Sequence, residues 1–199
     1  MQNFIEVYDN ALSDDDCERI ILLSDMYLPT LTEKGRQGLV GNRVVDKNVK
    51  DSSDFKLNLD LDDEVNSIVR KGLVSCIERY KNKHRSLDWI SEWRYYKHYN
   101  IQKYEPGQAF HTLHCENADA TSTFSRILAW MFYLNTVTDG GGTYFSSYDL
   151  TTDAVQGRCV IWPAYWTHMH KGIVSKTETK YIATGSVSYT HLTLPTSSQ

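Results

Sequence analysis

Trp93-Arg94-Tyr95-Tyr96-Lys97-His98-Tyr99-Asn100 is where the chain changes period. Upstream of it, Val65, Ile68, Val69, Leu73, Cys76, Ile77 and Tyr80 recur at spacings of three and four, the mark of one helix face. Within the stretch, Trp93, Tyr95 and Tyr99 alternate with Arg94, Tyr96, His98 and Asn100, the two-residue repeat of a strand. Downstream, short strand-like runs follow at about 108–114, 126–135, 142–146, 157–162, 167–174 and 179–189. Turn signals separate them: Glu105-Pro106-Gly107, Asp139-Gly140-Gly141-Gly142, Gly157 and Lys171-Gly172. Helices first and then many short, evenly spaced strands predict a mainly β protein with supporting helices, a sandwich or jelly roll with the N-terminal helices packed outside.

Residues 3–8 read as a first short strand. Ser13 then caps a helix whose first turn holds Asp14, Asp15 and Asp16, where the helix dipole favours anions, and which must stop before Pro29. Residues 29–55 are polar and contain Gly35, Gly38 and Gly41, too long for an ordinary loop. They are expected to form a functional lid or irregular strands. The second helix closes on Lys81, Lys83, His84 and Arg85 and reads as a packing element without chemistry. Residues 190–199 have neither periodicity and look like a translated adapter run-on, so a non-native or disordered tail is expected there. One domain is expected over residues 1–189, with helical support to about 90 and the β core from about 92 to 189.

Composition bounds the function. The 199 residues carry 21 Lys+Arg against 25 Asp+Glu, a net charge of −4, which gives no electrostatic reason to bind nucleic acid. Hydrophobic content of 41% and charged content of 23% fit a folded soluble domain and exclude a disordered one. There is no apolar run long enough for a membrane span, and the first residues lack the pattern of a secretory signal. Cys17, Cys76, Cys115 and Cys159 are scattered, so reduced thiols and a cytoplasmic setting are expected. Phosphate-binding loops, dinucleotide fingerprints and nucleophile elbows are absent from the sequence. The aromatic content of 12% leans toward strands.

His114-Cys115-Glu116 offers metal chemistry. On a strand, residues i and i+2 share a face, so one imidazole and one carboxylate can meet one cation while Cys115 points to the other side. A second imidazole from a later strand would complete two histidines and a carboxylate, which leaves half of an octahedron open and suits non-haem Fe(II). A structural zinc site would want four ligands, usually with cysteine. His168 and His170 are two apart and would share a strand face, so either can be the second imidazole. His111 precedes His114 by three, the wrong period for a shared strand face, and reads as a loop residue or one that backs the ligands without joining them. Taken alone the pair is cheap: with seven histidines, roughly one such match arises by chance. The elements around it carry the weight.

From Tyr104 to Tyr189 those elements resemble the catalytic core of the Fe(II)- and 2-oxoglutarate-dependent oxygenases, in particular the prolyl 4-hydroxylase-like branch. They occur in order: Tyr104-Glu105-Pro106-Gly107; Phe110 to Glu116; Ile127 to Asn135; Gly141-Gly142-Thr143-Tyr144-Phe145; Gly157 to Ala164; and His168 to Gly172 with Lys180 to Gly185. The resemblance covers under half of the chain. It implies a double-stranded β-helix, with His114, Glu116 and His170 as Fe(II) ligands. His170 is preferred over His168 because it stands ten residues before Lys180, the spacing in that branch. It also implies that Lys180 binds the far carboxylate of 2-oxoglutarate and that Tyr104 donates a hydrogen bond to this cosubstrate. Ascorbate would serve as an auxiliary reductant. The implied reaction hydroxylates a C–H bond of a peptidyl, possibly prolyl, or small-molecule substrate and releases succinate and CO2. Two features depart from the branch. Glu116 stands where it usually has Asp, and Tyr104 lies one residue further from His114 than expected, implying a bulge or a different role. Glu116 also argues against a halogenase, which needs that position vacated. Residues 29–55 and 136–156 are the expected specificity elements. The alternatives are a non-enzymatic jelly-roll binding module and a cupin-type metalloenzyme that does not use 2-oxoglutarate.

Overall fold

The computed structural model describes residues 2–27, 37–40, 44–90, 92–118, 123 and 125–189. The tail and much of the 29–55 stretch, including Gly35 and Gly41, lie outside the described residues.

Two helices pack on one side of a seven-stranded antiparallel sheet. Helix α1 (Asp14–Tyr27) begins where expected, with the Asp16 amide donating to Ser13 Oγ at 3.1 Å. Helix α2 (Glu64–Lys83) is capped by Asp63, which accepts from the Asn66 amide at 2.8 Å. The sheet is built from β1 (Glu6–Tyr8), β2 (Ser53–Asn58), β3 (Trp93–Tyr95), β4 (His98–Tyr104), β5 (Arg126–Tyr133), β8 (Cys159–Pro163) and β10 (Lys180–Tyr189). Its order is β1-β8-β5-β10-β4-β2, with β3 also paired to β10. Facing it is a smaller sheet of order β7-β6-β9, formed by β6 (Thr143–Phe145), β7 (Leu150–Thr152) and β9 (His170–Gly172).

Strand β5 shows how the layers divide. All but its first residue are buried, so it reads as a continuous apolar run. Trp130 and Phe132 face the helices, in the cluster that holds Ile20, Val69, Leu73 and Ile77. Ala129, Met131 and Tyr133 face inward and pack with Phe145, Val160 and Trp162 between the sheets. Leu73, 1% exposed at the centre of α2, binds the helix layer to the sheet. Leu73→Ala is expected to cost about 2–5 kcal/mol, read as a lower urea midpoint with an unchanged slope.

The jelly-roll architecture with helices outside agrees with the sequence reading. Three local expectations are corrected. Residues 108–114 do not form a continuous strand. The segment pairs through isolated bridges, Phe110 with Lys50 and His114 with His170, and through single backbone bonds such as the His111 amide to the Val49 carbonyl, without a continuous ladder. The run at 167–174 is split, because Trp166–His168 form a 3-10 turn before β9 starts. His168 and His170 therefore do not share a strand face. The described part of 29–55 contains irregular strand structure, with bridges Gln37–Ser53 and Val40–Val44 beside β2. Within 136–156, β6 falls on the strand expected at about 142–146, and β7 adds a second.

Candidate metal centre

The inward faces of β4 and β10 carry polar groups. In β4 the side chains of His98, Asn100, Gln102 and Tyr104 line an interior cavity of about 680 Å³, while Tyr99 and Ile101 pack toward the helices. In β10, Lys180, Ile182, Thr184 and Ser186 line the same cavity. The alternation seen in the sequence thus has its polar side facing a barrel interior.

On the opposite wall, His114, Glu116 and His170 converge, with one potential ligand atom from each lying within 4.8 Å of the others. His114 is delivered by its bridge to His170, whose amide and carbonyl it meets in two hydrogen bonds of 2.9 Å. Glu116 lies two residues on, in a bend, yet it reaches the same point. Both imidazoles are oriented from behind. His114 Nδ1 donates to the Thr112 carbonyl at 3.0 Å, and His170 Nδ1 donates to the His168 carbonyl at 2.9 Å. Each ring therefore turns its Nε2 toward the centre. Phe110 stacks on His114 at 3.5 Å between centroids, and Trp162 meets His170 edge-on at 5.0 Å.

The electrostatics suit a cation. Burial and the neighbouring His170 push His114 down to about 4, so its imidazole is neutral at pH 7. His170 is pulled down by burial, but Glu116 outweighs this and raises it. Burial likewise opposes the Glu116 charge, and His170 more than offsets that, so the carboxyl group stays below its usual value. Glu116 Oε1 lies 3.1 Å from His170 Nε2, while Oε2 is buried with no hydrogen-bond partner. An orphaned carboxylate oxygen beside two oriented imidazoles is the donor set a hard or borderline divalent cation takes.

Lys180 sits across the cavity. It is 4% exposed, and the hydrogen bond of its ammonium goes to the Gly141 carbonyl at 3.0 Å. No described carboxylate pairs with it, and burial lowers it to about 8. It is therefore neither a solvated edge lysine nor a structural ion pair. Gly141 stands at φ +70, where a Cβ would also meet Val137 at 2.7 Å, so this turn needs glycine to present its carbonyl to Lys180. Tyr104 is the cross-strand partner of Lys180, and the ammonium lies 4.6 Å from its ring centre. The Tyr104 hydroxyl donates to Gln102 Oε1 at 2.8 Å.

His168, the other candidate for the second imidazole, is engaged elsewhere. Its ring nitrogens meet the Asn3 carbonyl at 2.7 Å and Thr167 Oγ1 at 2.9 Å, and it does not join the cluster. His111 also stays outside it, with its amide bonded to the Val49 carbonyl. Trp162 serves both core and cavity. Sequence reasoning missed Arg126 and Gln102, both in the cavity wall. The signal for Gln102 was present as the period-two polar row opposite an apolar face. Among the described residues, no helix is long and apolar enough to cross a membrane.

No family model and no curated protein sequence matches the chain. Solved structures do. A viral collagen prolyl hydroxylase from Paramecium bursaria Chlorella virus-1, solved with 2-oxoglutarate, aligns with TM-score 0.67 at 17% identity over 94% of this chain and 97% of its own. A Pseudomonas putida prolyl-4-hydroxylase aligns with TM-score 0.67 at 12% identity, covering 96% and 95%. A Trichoplax adhaerens prolyl hydroxylase, solved with a hypoxia-inducible factor peptide fragment, aligns with TM-score 0.68 at 15% identity, covering 94% and 84%. The chain has the fold of the prolyl 4-hydroxylase-like 2-oxoglutarate oxygenases.

Proposed function

We propose that this prolyl hydroxylase-like fold carries an Fe(II)- and 2-oxoglutarate-dependent hydroxylase, with His114, Glu116 and His170 as the metal ligands and Lys180 as the anchor for the far carboxylate of the cosubstrate. Two unmet demands in one cavity support this reading: among the described residues, one Glu116 oxygen has no hydrogen-bond partner and the buried Lys180 has no carboxylate. With Fe(II) and 2-oxoglutarate bound, the site supplies the oxidising chemistry that couples release of succinate and CO2 to hydroxylation of a C–H bond.

The protein's own part is placement. The Thr112 and His168 carbonyls hold the imidazole tautomers, and Phe110 and Trp162 hold the ring planes. Lys180 supplies a charge-assisted contact in a poorly solvated pocket, where such contacts are strong. Leu39 and Val40, from the stretch expected to carry specificity, line the same cavity and would meet the substrate. The Trichoplax protein was solved with a peptide, which favours a peptidyl, prolyl-type substrate here over a small molecule. A binding module leaves the buried Glu116 oxygen unexplained, and a cupin-type enzyme without 2-oxoglutarate leaves Lys180 unexplained.

The test is succinate formation from 2-oxoglutarate with Fe(II), ascorbate and prolyl peptides. The unaltered protein is expected to turn over and His114→Ala to fall by at least about 100-fold, beyond the cost of losing an outer-shell partner of a ligand. Equal traces for the two proteins would dismiss the reading.

A further inference from the structure

A second polar chain runs behind Tyr104 and none of the roles above uses it. Lys50, 4% exposed, pairs with Asp54 at 2.6 Å. Ser52 Oγ donates to the other Asp54 oxygen at 2.8 Å. Gln102 Nε2 approaches the Lys50-bound oxygen at 3.3 Å, and Gln102 Oε1 accepts from Tyr104. The amide orientation follows from chemistry. An ionised Asp54 only accepts, so the Gln102 atom that faces it must be nitrogen. The amide oxygen then faces Tyr104, and the phenol must donate its single proton to it. Tyr104 has no second proton for a ligand, whereas the Gln102 nitrogen has one left after Asp54 is served.

Gln102 and Tyr104 line the cavity with Lys180, and the register places them together. Tyr104 is directly opposite Lys180, and Gln102, opposite Ile182, is its diagonal neighbour. We propose that Gln102, oriented by the Lys50–Asp54 pair, is the hydrogen-bond donor to the cosubstrate's far carboxylate, and that Tyr104 supports Gln102 instead of donating to the ligand itself. This inference rests on the hydroxylase reading and changes one expectation within it: the phenol is a positioning group and the amide N–H is the ligand contact. It also fits the position of Tyr104, whose spacing from His114 departs from the branch.

The experiment is binding of 2-oxoglutarate to the Mn(II)-loaded protein, measured by calorimetry without turnover. Gln102→Leu is expected to weaken binding about tenfold or more, the effect of losing a hydrogen bond to a charged group. Tyr104→Phe is expected to weaken it less, by about two- to fivefold, since it loosens the amide without removing its N–H. The double variant is expected to match Gln102→Leu alone, because one residue acts through the other. Gln102→Glu, which keeps the shape and adds a negative charge beside Asp54, is expected to weaken binding at least as much as Gln102→Leu. It serves as the readout if the leucine variant does not fold. A larger loss from Tyr104→Phe than from Gln102→Leu, additive losses, or full affinity in Gln102→Glu would overturn the inference while leaving the hydroxylase reading standing. An unaltered Mn(II)-loaded protein that does not bind 2-oxoglutarate would overturn both.

Discussion

Glu116→Ala is expected to lower the affinity for Mn(II) or Fe(II) by at least about 100-fold and to abolish succinate formation. The magnitude follows from the ligand count. With three protein ligands, losing the one charged member removes the charge that offsets the divalent cation, and even outer-shell losses cost about 10–100-fold. The metal-free protein's stability should change far less than the affinity. In the metal-free protein Glu116 Oε2 has no partner, and burial opposes the charge of the group. Its side-chain ion pair among the described residues is the 3.1 Å approach to His170. Removing it should change the metal-free protein's stability by only ~1 kcal/mol, the net worth of a single hydrogen bond. Metal content by elemental analysis, alongside thermal unfolding with and without Mn(II), reads both effects. The unaltered protein should gain stability on adding Mn(II), and the variant should not. A variant that retains metal with parental affinity would remove Glu116 from the ligand set.

Lys180→Met is expected to weaken 2-oxoglutarate binding by about 100-fold while leaving Mn(II) affinity within a few-fold of the parent. Lys180 is buried, so the ammonium meets an incoming carboxylate with little water to screen it. The same burial holds its value near 8, well below that of an ordinary lysine. The ammonium is the form that binds the anion, and it is the form present below that value. Affinity in the unaltered protein should therefore fall as pH rises from 7 to 9, and the bound anion itself should shift the midpoint upward. Lys180→Met should bind weakly at every pH without that inflection. A Lys180→Met variant whose calorimetric titration overlays the parent's would place the cosubstrate elsewhere, or nowhere.

The layers of the fold were readable because their signals are local. The 3–4 spacing of Val65, Val69, Leu73 and Ile77 and the continuous apolar run of β5 each report burial that holds in the structure. Ser13 and Asp14–Asp16 marked the start of α1 by the chemistry of a helix N-terminus. Local patterns failed where distant pairing decides the backbone. Residues 108–114 alternate like a strand but are held by isolated bridges and single bonds to the chain around Lys50 and around His170, more than fifty residues away on either side. Likewise His168 and His170 follow strand spacing, but the intervening 3-10 turn sends His168 to Asn3.

The site was legible in the same uneven way. His114, Glu116 and His170 meet as the spacing and the resemblance implied, although Glu116 arrives from a bend instead of a strand. Gln102 was hidden because polar residues alternating in a strand ordinarily face water, and only closure of the two sheets turns that face inward. Its orientation could not be read from the sequence at all, since it depends on Lys50 and Asp54 arriving from the segment before β2 and from β2 itself.

The central claim is that one divalent metal is held by His114, Glu116 and His170 with 2-oxoglutarate on its open side. An anomalous-difference map from a crystal grown with Mn(II) and 2-oxoglutarate tests it most directly. A single strong peak is expected, bounded by Nε2 of His114, Nε2 of His170 and a Glu116 carboxylate oxygen, with cosubstrate density running from that peak to Lys180. A peak at other residues, or cosubstrate density that does not approach Lys180, would contradict it.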